Sequence, residues 1–189
     1  GVLTNNRFHF GIGVSPWYED FLATGERWEK RGKRMDEQIE ILKGLMGGEY
    51  YGFKGEFYDI PEIKLCPVPT KPVPILIGGH SNLALKRAAR VGDGWISAGL
   101  TLEDTKIFVD KINNYRAEFG TLENPNFQFQ VMGEAAYSPD GVKKLEDIGA
   151  TEVIVAFRNA YEGGPDNRTL EGMIAEIQWY AEEVINKSN

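Results

Sequence analysis

Apolar and polar positions along the chain switch between two rhythms: short unbroken apolar runs, and longer stretches with an apolar residue at every third or fourth place. The first run, RFHFGIGV (Arg7–Val14), is rich in β-forming residues and ends in Gly-Ile-Gly, which reads as a strand entering a tight loop. From Glu29 the rhythm becomes helical, with Met35, Ile39, Leu42 and Met46 on one stripe, until Gly47-Gly48 stops it. EYYGFKGEFYDI then sets two aromatic runs around Lys54-Gly55, the pattern of a β-hairpin inserted at about 49–60. VPILIGG (Val73–Gly79) has the continuity of a strand covered on both faces. Ser81 or Asn82 can cap the helix behind it, whose apolar positions include Leu85 and Ala89.

The alternation continues to the carboxyl end. GWISAG (Gly94–Gly99) predicts a strand, and 101–119 a helix with Phe108, Ile112, Tyr115 and Phe119 on one stripe. FQFQVMGEA (Phe127–Ala135) alternates Phe127, Phe129 and Val131 against Gln128, Gln130 and Met132. Ser138 and Pro139 open a further helix, EVIVAF (Glu152–Phe157) reads as another buried strand, and a last helix spans about 168–185. Its inner face is expected to carry Leu170, Ile174, Ile177, Ala181 and Val184.

Strand and helix in regular succession imply a parallel sheet with right-handed crossovers, either an open doubly wound sheet or part of a (β/α)8 barrel. The face formed by Gln128, Gln130 and Met132 favours the barrel, because a polar-leaning face is easier to place inside a barrel near its active end than under a layer of helices. A full barrel has eight strands and about 250 residues, whereas 189 residues supply five strands besides the hairpin. The expected fold is therefore α/β: an incomplete TIM barrel of five parallel strand-helix units, one domain over 1–189, with three units missing from the front.

Composition narrows the partners. With 28 acidic against 21 basic residues the formal charge is −7, which argues against non-specific attraction to nucleic acid or anionic membranes. No apolar run approaches the roughly 20 residues of a membrane span, and the single cysteine, Cys66, has no partner for an internal disulfide. These features predict a cytoplasmic protein acting on a small molecule.

In a parallel sheet the carboxyl ends of the strands carry the chemistry. Here they are Gly11-Ile12-Gly13, Gly78-Gly79-His80-Ser81, Ser97-Ala98-Gly99-Leu100, Gly133-Glu134 and Phe157-Arg158-Asn159. Glycines lacking Cβ followed by a helix start form either a phosphate cradle or a plain strand-to-helix turn. Gly11-Ile12-Gly13 likewise reads either as a surface for a flat ring or as a bulge and turn. His80 beside the glycine pair is the better acid-base candidate of the two histidines, His9 lying within a strand; Glu134 and Arg158 are secondary candidates for contact. Cys66 has no His or CxxC companion and no metal-site spacing occurs. The charge run KRGKRMDEQIE has apolar residues at helical spacing and reads as a solvated helix face.

The blocks NNRFHFGIGVSPWYEDF, WEKRGKRMDEQIEIL, GEFYDI…CPVPTKPVPILIGGHS and ALKRAARVGDGW, in this order, resemble the luciferase-like flavin-dependent oxidoreductases, most closely the branch using coenzyme F420. The resemblance runs from about Leu3 to Trp95 and implies a (β/α)8 barrel holding F420, or alternatively FMN, at the carboxyl ends of its strands. It implies a cofactor phosphate at Gly78, Gly79, His80 and Ser81, help from the loop containing Ala98 and Gly99, and the ring near Gly11, Ile12 and Gly13. GDGW would then be a turn at the opposite end, with Asp93 structural. Val14 departs from the Glu or Arg that some members place there, and RFHFGIG matches the family's fourth strand. The activity implied is hydride transfer between F420 and a small organic substrate; an FMN-dependent monooxygenase and a non-catalytic binding or assembly module are the alternatives. An incomplete barrel leaves two strand edges unpaired, so either a homo-oligomer or the missing amino-terminal part of the barrel is expected to cover them.

Overall fold

Five short strands lie side by side, all parallel, in a computed structural model that describes residues 1–158 and 164–188. They are β1 (Phe10–Ile12), β4 (Ile75–Gly78), β5 (Gly94–Ile96), β6 (Gln128–Met132) and β7 (Glu152–Ile154), in that spatial order. A separate antiparallel pair, β2 (Tyr51–Lys54) and β3 (Asp59–Ile63), is the expected hairpin, reaching a few residues further than its sequence pattern. The helices are α1 (Tyr18–Thr24), α2 (Arg31–Met46), α3 (Asn82–Val91), α4 (Leu102–Phe119), α5 (Pro139–Asp147) and α6 (Leu170–Tyr180). A 3-10 turn at Glu134–Tyr137 precedes α5, and a π-helical turn at Ala181–Ile185 prolongs α6.

Register explains which face is core. Ile77, Trp95 and Phe129 stand in one row across β4, β5 and β6, and all three are buried among Leu85, Ala88, Val109 and Ile112 of α3 and α4. The adjacent row, Gly78, Ile96 and Gln130, faces the other way. Gln128, Gln130 and Met132 therefore do sit on the face turned from the helices, half-buried, while Phe129 and Val131 are buried beneath them. β4 is the strand buried along most of its length, as its unbroken apolar run requires.

Local signals account for the helix starts. Ser81 Oγ accepts from Ala84 N at 3.2 Å, and Ser138 Oγ from Gly141 N at 3.1 Å, with Pro139 in the first turn of α5. Arg116, buried at the end of α4, donates to the carbonyls of Thr121, Leu122 and Asn124 and fixes the return into β6.

Four expectations need correction. Strand Arg7–Val14 shortens to Phe10–Ile12, so His9 precedes β1 rather than lying inside it. On α4 the buried stripe is Thr105, Val109, Ile112 and Arg116; Phe108 and Tyr115 pack at its margin and Phe119 is exposed. β7 is not buried: it pairs only with β6 among the described residues, so its outer side lacks a neighbour. In the last helix Leu170, Ile174 and Ile177 are 67%, 45% and 57% exposed, so that part of the expected inner face lies open, whereas Val184 in the π-helical turn is buried as expected, with Tyr180 beside it.

Asp93 lies at the amino ends of the strands, opposite the glycine pair. Its backbone N–H donates to Ile75 O at 2.8 Å, its carbonyl accepts from Gln128 N at 3.0 Å, and its carboxylate accepts from Ile75 N at 2.9 Å. Ile75 is fully buried, so its amide has no access to water. Asp93→Ala is expected to lower stability by about 1–3 kcal/mol, the penalty of an orphaned buried donor. Chemical denaturation checks this, with Asp93→Asn, which keeps an acceptor oxygen, expected to lose less.

Candidate functional site

The chain leaves β4 through Gly78 and Gly79 and enters α3 at once. Gly79 adopts φ +117°, and a Cβ there would meet the Cβ of Ala84 at 3.0 Å, so the turn requires glycine on both counts. Its carbonyl accepts from Nε1 of the fully buried Trp95 at 2.9 Å, which ties the turn to the core. With Ala84 N capped by Ser81, the amides of Asn82 and Leu83 in the first turn have no carbonyl one turn back to accept them. That end of the helix favours negative charge.

The loop after β5 is drawn against this turn. Ala98 N donates to His80 Nε2 at 3.4 Å, and the His80 ring stacks on Phe108 at 5.2 Å with 22° between planes. Burial pushes the His80 imidazole pKa down, partly opposed by the carboxylate of Asp104. A neutral ring is also what accepting from an amide demands. His80 thus pins two loops together, rather than standing free as an acid or base. Ser97 is buried and accepts from Met132 N at 2.9 Å, and Leu100 N donates to Met132 O at 3.0 Å, so the ends of β5 and β6 are likewise stitched.

At the end of β1, Gly13 lies against Gly78: a Cβ on Gly13 would come within 3.7 Å of Gly78 O. Together with exposed Gly11 they make a surface without side chains on the face turned from the helices, flanked by Ile96. Ile12 points the other way and packs on the helix-side core, so it offers this surface only its backbone. The structure therefore brings Gly11, Gly13, Gly78, Gly79, His80, Ser81, Ala98 and Gly99 to one edge, and keeps the Ile12 side chain out. Glu134 is exposed at the start of the 3-10 turn, and Arg158 is engaged by Asp166 at 3.4 Å and Gly164 O at 3.0 Å. Asn159 lies outside the described residues. Cys66 is a free, exposed thiol. No group of three or more His, Cys, Asp or Glu residues among the described ones can hold a metal ion, and no described helix is long and apolar enough to cross a membrane.

Sequence reasoning missed the cations. A cleft of about 540 Å³ opens beside Ser81 and Val14, lined by Lys30, Arg31, Lys33, Lys86, Arg87 and Arg90 with Asp36 as its one acidic residue. The charge run is thus more than a solvated face. Asp36 pairs with buried Arg87 at 2.7 Å, and Glu37 accepts three hairpin amides, Glu56 N, Phe57 N and Tyr58 N, at 2.6–3.1 Å. These partners lie 19–51 positions away, beyond the reach of helical periodicity.

The residues fit a phosphorylated flavin or deazaflavin. Side-chain-free backbone at Gly13 and Gly78 leaves room that any Cβ would take, and the capped helix start beside it suits an oxyanion.

An all-parallel α/β sheet whose carboxyl edge gathers a glycine turn, a helix start and a bare backbone surface is the arrangement of a barrel-type protein, in which that edge is where ligands are generally held. A family model for luciferase-like monooxygenases matches residues 2–141, and the chain belongs to that family. The protein named Uncharacterized protein Rv0940c of Mycobacterium tuberculosis (strain ATCC 25618 / H37Rv) is 45% identical over 186 residues, 98% of this chain and 64% of its own length. The chain thus spans about two-thirds, slightly less, of that relative. F420-dependent glucose-6-phosphate dehydrogenase of Amycolatopsis mediterranei (strain U-32) is 26% identical over 77% of this chain and 45% of its own. FMNH(2)-dependent dimethylsulfone monooxygenase of Pseudomonas fluorescens (strain Pf0-1) is 37% identical over 58% of this chain and 31% of its own. The solved coenzyme F420-dependent tetrahydromethanopterin reductase of Methanopyrus kandleri superposes with TM-score 0.71, covering 96% of this chain and 74% of that one at 13% identity. The fold is therefore part of a TIM barrel, unclosed among the described residues.

His80 carries the pH prediction of this site. Its pKa in the folded protein lies below the ordinary 6.5, so the folded state binds the proton less readily than the unfolded chain does. Its contribution to stability is complete above the unfolded value and falls away as the pH drops through the folded value. An NMR titration should find the His80 imidazole below its ordinary pKa; a value at or above 6.5 contradicts the neutral, amide-accepting ring.

Proposed function

We propose that this chain supplies the phosphate-holding side of an oxidoreductase that transfers a hydride between coenzyme F420 and a small organic substrate. The observation that carries the reading is the bare Gly13–Gly78 surface beside the Ser81-capped start of α3. When bound, the deazaflavin ring supplies the hydride acceptor or donor. The chain's residues orient it: the Gly78-Gly79 turn and first amides of α3 receive the phosphate, and the bare backbone of Gly11 and Gly13 lies along the ring. Ala98 and Gly99 close the phosphate side, held there by His80.

F420 is preferred because the F420-dependent relative aligns over 77% of this chain, against 58% for the FMNH(2)-dependent one. The higher identity of the latter, 37%, is the observation that keeps an FMN-dependent monooxygenase as the second reading. We also propose that the free edges of β1 and β7 and the exposed apolar stripe of α6 are covered in the working protein. The cover is either a second copy or barrel segments of the kind the longer relatives carry beyond the matched part.

Absorbance and fluorescence titration with F420 and FMN tests the cofactor. Gly13→Val, which puts a branched side chain against Gly78, is expected to weaken binding by roughly tenfold or more, the size of a lost close contact of about 1.4 kcal/mol. Binding of neither cofactor to the unaltered chain contradicts the reading. Light scattering tests the cover: a stable monomer that leaves a hydrophobic dye unbound contradicts it.

A further inference from the structure

The short segment Ala98-Gly99 after β5 is anchored on both sides and tied in its middle to a titratable ring. On either side the chain is fixed to β6: Ser97 N donates to Gln130 O at 2.9 Å and Leu100 N to Met132 O at 3.0 Å. Ser97 Oγ also accepts from Met132 N at 2.9 Å. Between these anchors Ala98 and Gly99 are exposed, and the Ala98 amide, donating to His80 Nε2 at 3.4 Å, draws them toward the turn after β4. Gly99 sits at φ +52° with open space where a Cβ would stand, so its backbone can change conformation without meeting a neighbour.

His80 Nε2 accepts this amide only while its lone pair is free and the ring's proton is on Nδ1. A second proton turns Nε2 into a donor that faces another donor. A bond already 3.4 Å long yields readily to that change. The ring's other neighbours decide which partner moves. On α4, Phe108 stacks on the ring at 5.2 Å with 22° between planes, a contact that strengthens when the imidazole becomes a cation. The Asp104 carboxylate, on the same helix, favours that charge. Lys111, which lies over the Phe108 ring at 5.6 Å, opposes it. From β5, Trp95 brings an uncharged ring at 6.1 Å whose N–H is committed to Gly79 O. Residues 97–100 carry no charge. His80 is therefore retained by α4 in either protonation state, and the segment is the part that can leave.

We propose that His80 is a proton-operated latch: the neutral ring holds Ala98-Gly99 against the glycine turn, and the imidazolium releases it. This deepens the cofactor reading above and rests on it for what the latch guards, the phosphate side of the carboxyl edge. Burial holds the imidazole pKa below 6.5 against the pull of Asp104. The latch is therefore closed at neutral pH and opens as the pH falls through that lowered value.

Amide hydrogen exchange followed by NMR from about pH 8 to about pH 4 tests it on the chain without cofactor, each rate corrected for the intrinsic pH dependence of exchange. The Ser97 and Leu100 amides, bonded to β6, are internal references. Protection of Ala98 is expected to fall roughly fivefold, the size of one net hydrogen bond, with the same midpoint as the His80 ring signals. The references should change by less than about twofold. In His80→Gln, whose acceptor does not titrate, Ala98 protection should be independent of pH; in His80→Phe, which has no acceptor, it should stay low throughout. Ala98 protection that ignores the His80 titration overturns the proposal. A parallel loss at Ser97 and Leu100 also overturns it, because the end of the sheet and not the segment is then opening. So does a fall that persists in His80→Gln. The wild-type profile decides by itself where a variant does not fold. Because no cofactor enters this measurement, failure of F420 and FMN to bind tells against the cofactor reading and leaves the latch to be decided by exchange.

Discussion

The hydrogen bond from the Trp95 indole to the carbonyl of Gly79 is the point on which the site's geometry depends. Trp95 has no exposed surface and packs among Ile77, Phe129 and the α3 and α4 side chains, so its N–H has no solvent to turn to. The bond therefore commits the turn after β4 to one height above the core. That height sets where α3 begins, where Ser81 caps it, and how far His80 reaches toward Ala98. A buried apolar row and an exposed ligand edge are thus mechanically one unit, joined at a glycine that tolerates φ +117°.

Much of this arrangement was legible in the sequence because it rests on local signals. The apolar run before Gly78, the caps at Ser81 and Ser138 and the alternation in Gln128–Met132 each depend on neighbours within a few positions. What escaped reading depends on distance. Helix α1 has no side-chain cap and buries no residue, so it left no amphipathic trace. The last helix's stripe was read correctly as apolar but wrongly as covered over Leu170, Ile174 and Ile177, since periodicity says which face is greasy and nothing about whether another element meets it.

The charge run shows the same limit from the polar side. Alternating signs at helical spacing are the ordinary mark of a solvated face, yet Asp36 and Glu37 each serve a distant segment. Asp36 holds buried Arg87, and Glu37 accepts the amides of the hairpin tip. Glu37 is thereby drawn to the hairpin and Asp36, within the cleft, is taken up by Arg87 and Arg90, leaving the remaining basic residues to set the cleft's charge. The segregation of charge that makes the cleft cationic is a by-product of how α2 is anchored, and no composition count of an acidic chain reveals it.

The two ends of the sheet illustrate how one residue type serves opposite purposes. At the amino end Asp93, between two glycines, commits its backbone N–H, its carbonyl and one carboxylate oxygen to Ile75 and Gln128, with Lys43 beside the carboxylate on the solvent side. At the carboxyl end Gly78 and Gly79 bring no side chains of their own, and the side chains beside them, Trp95, Ala84 and Ile96, meet them from the core, α3 and β5. Closure at one end lets the other stay open without loosening the strands between. That asymmetry, more than any single glycine pair, makes the carboxyl edge a place where a flat phosphorylated molecule fits.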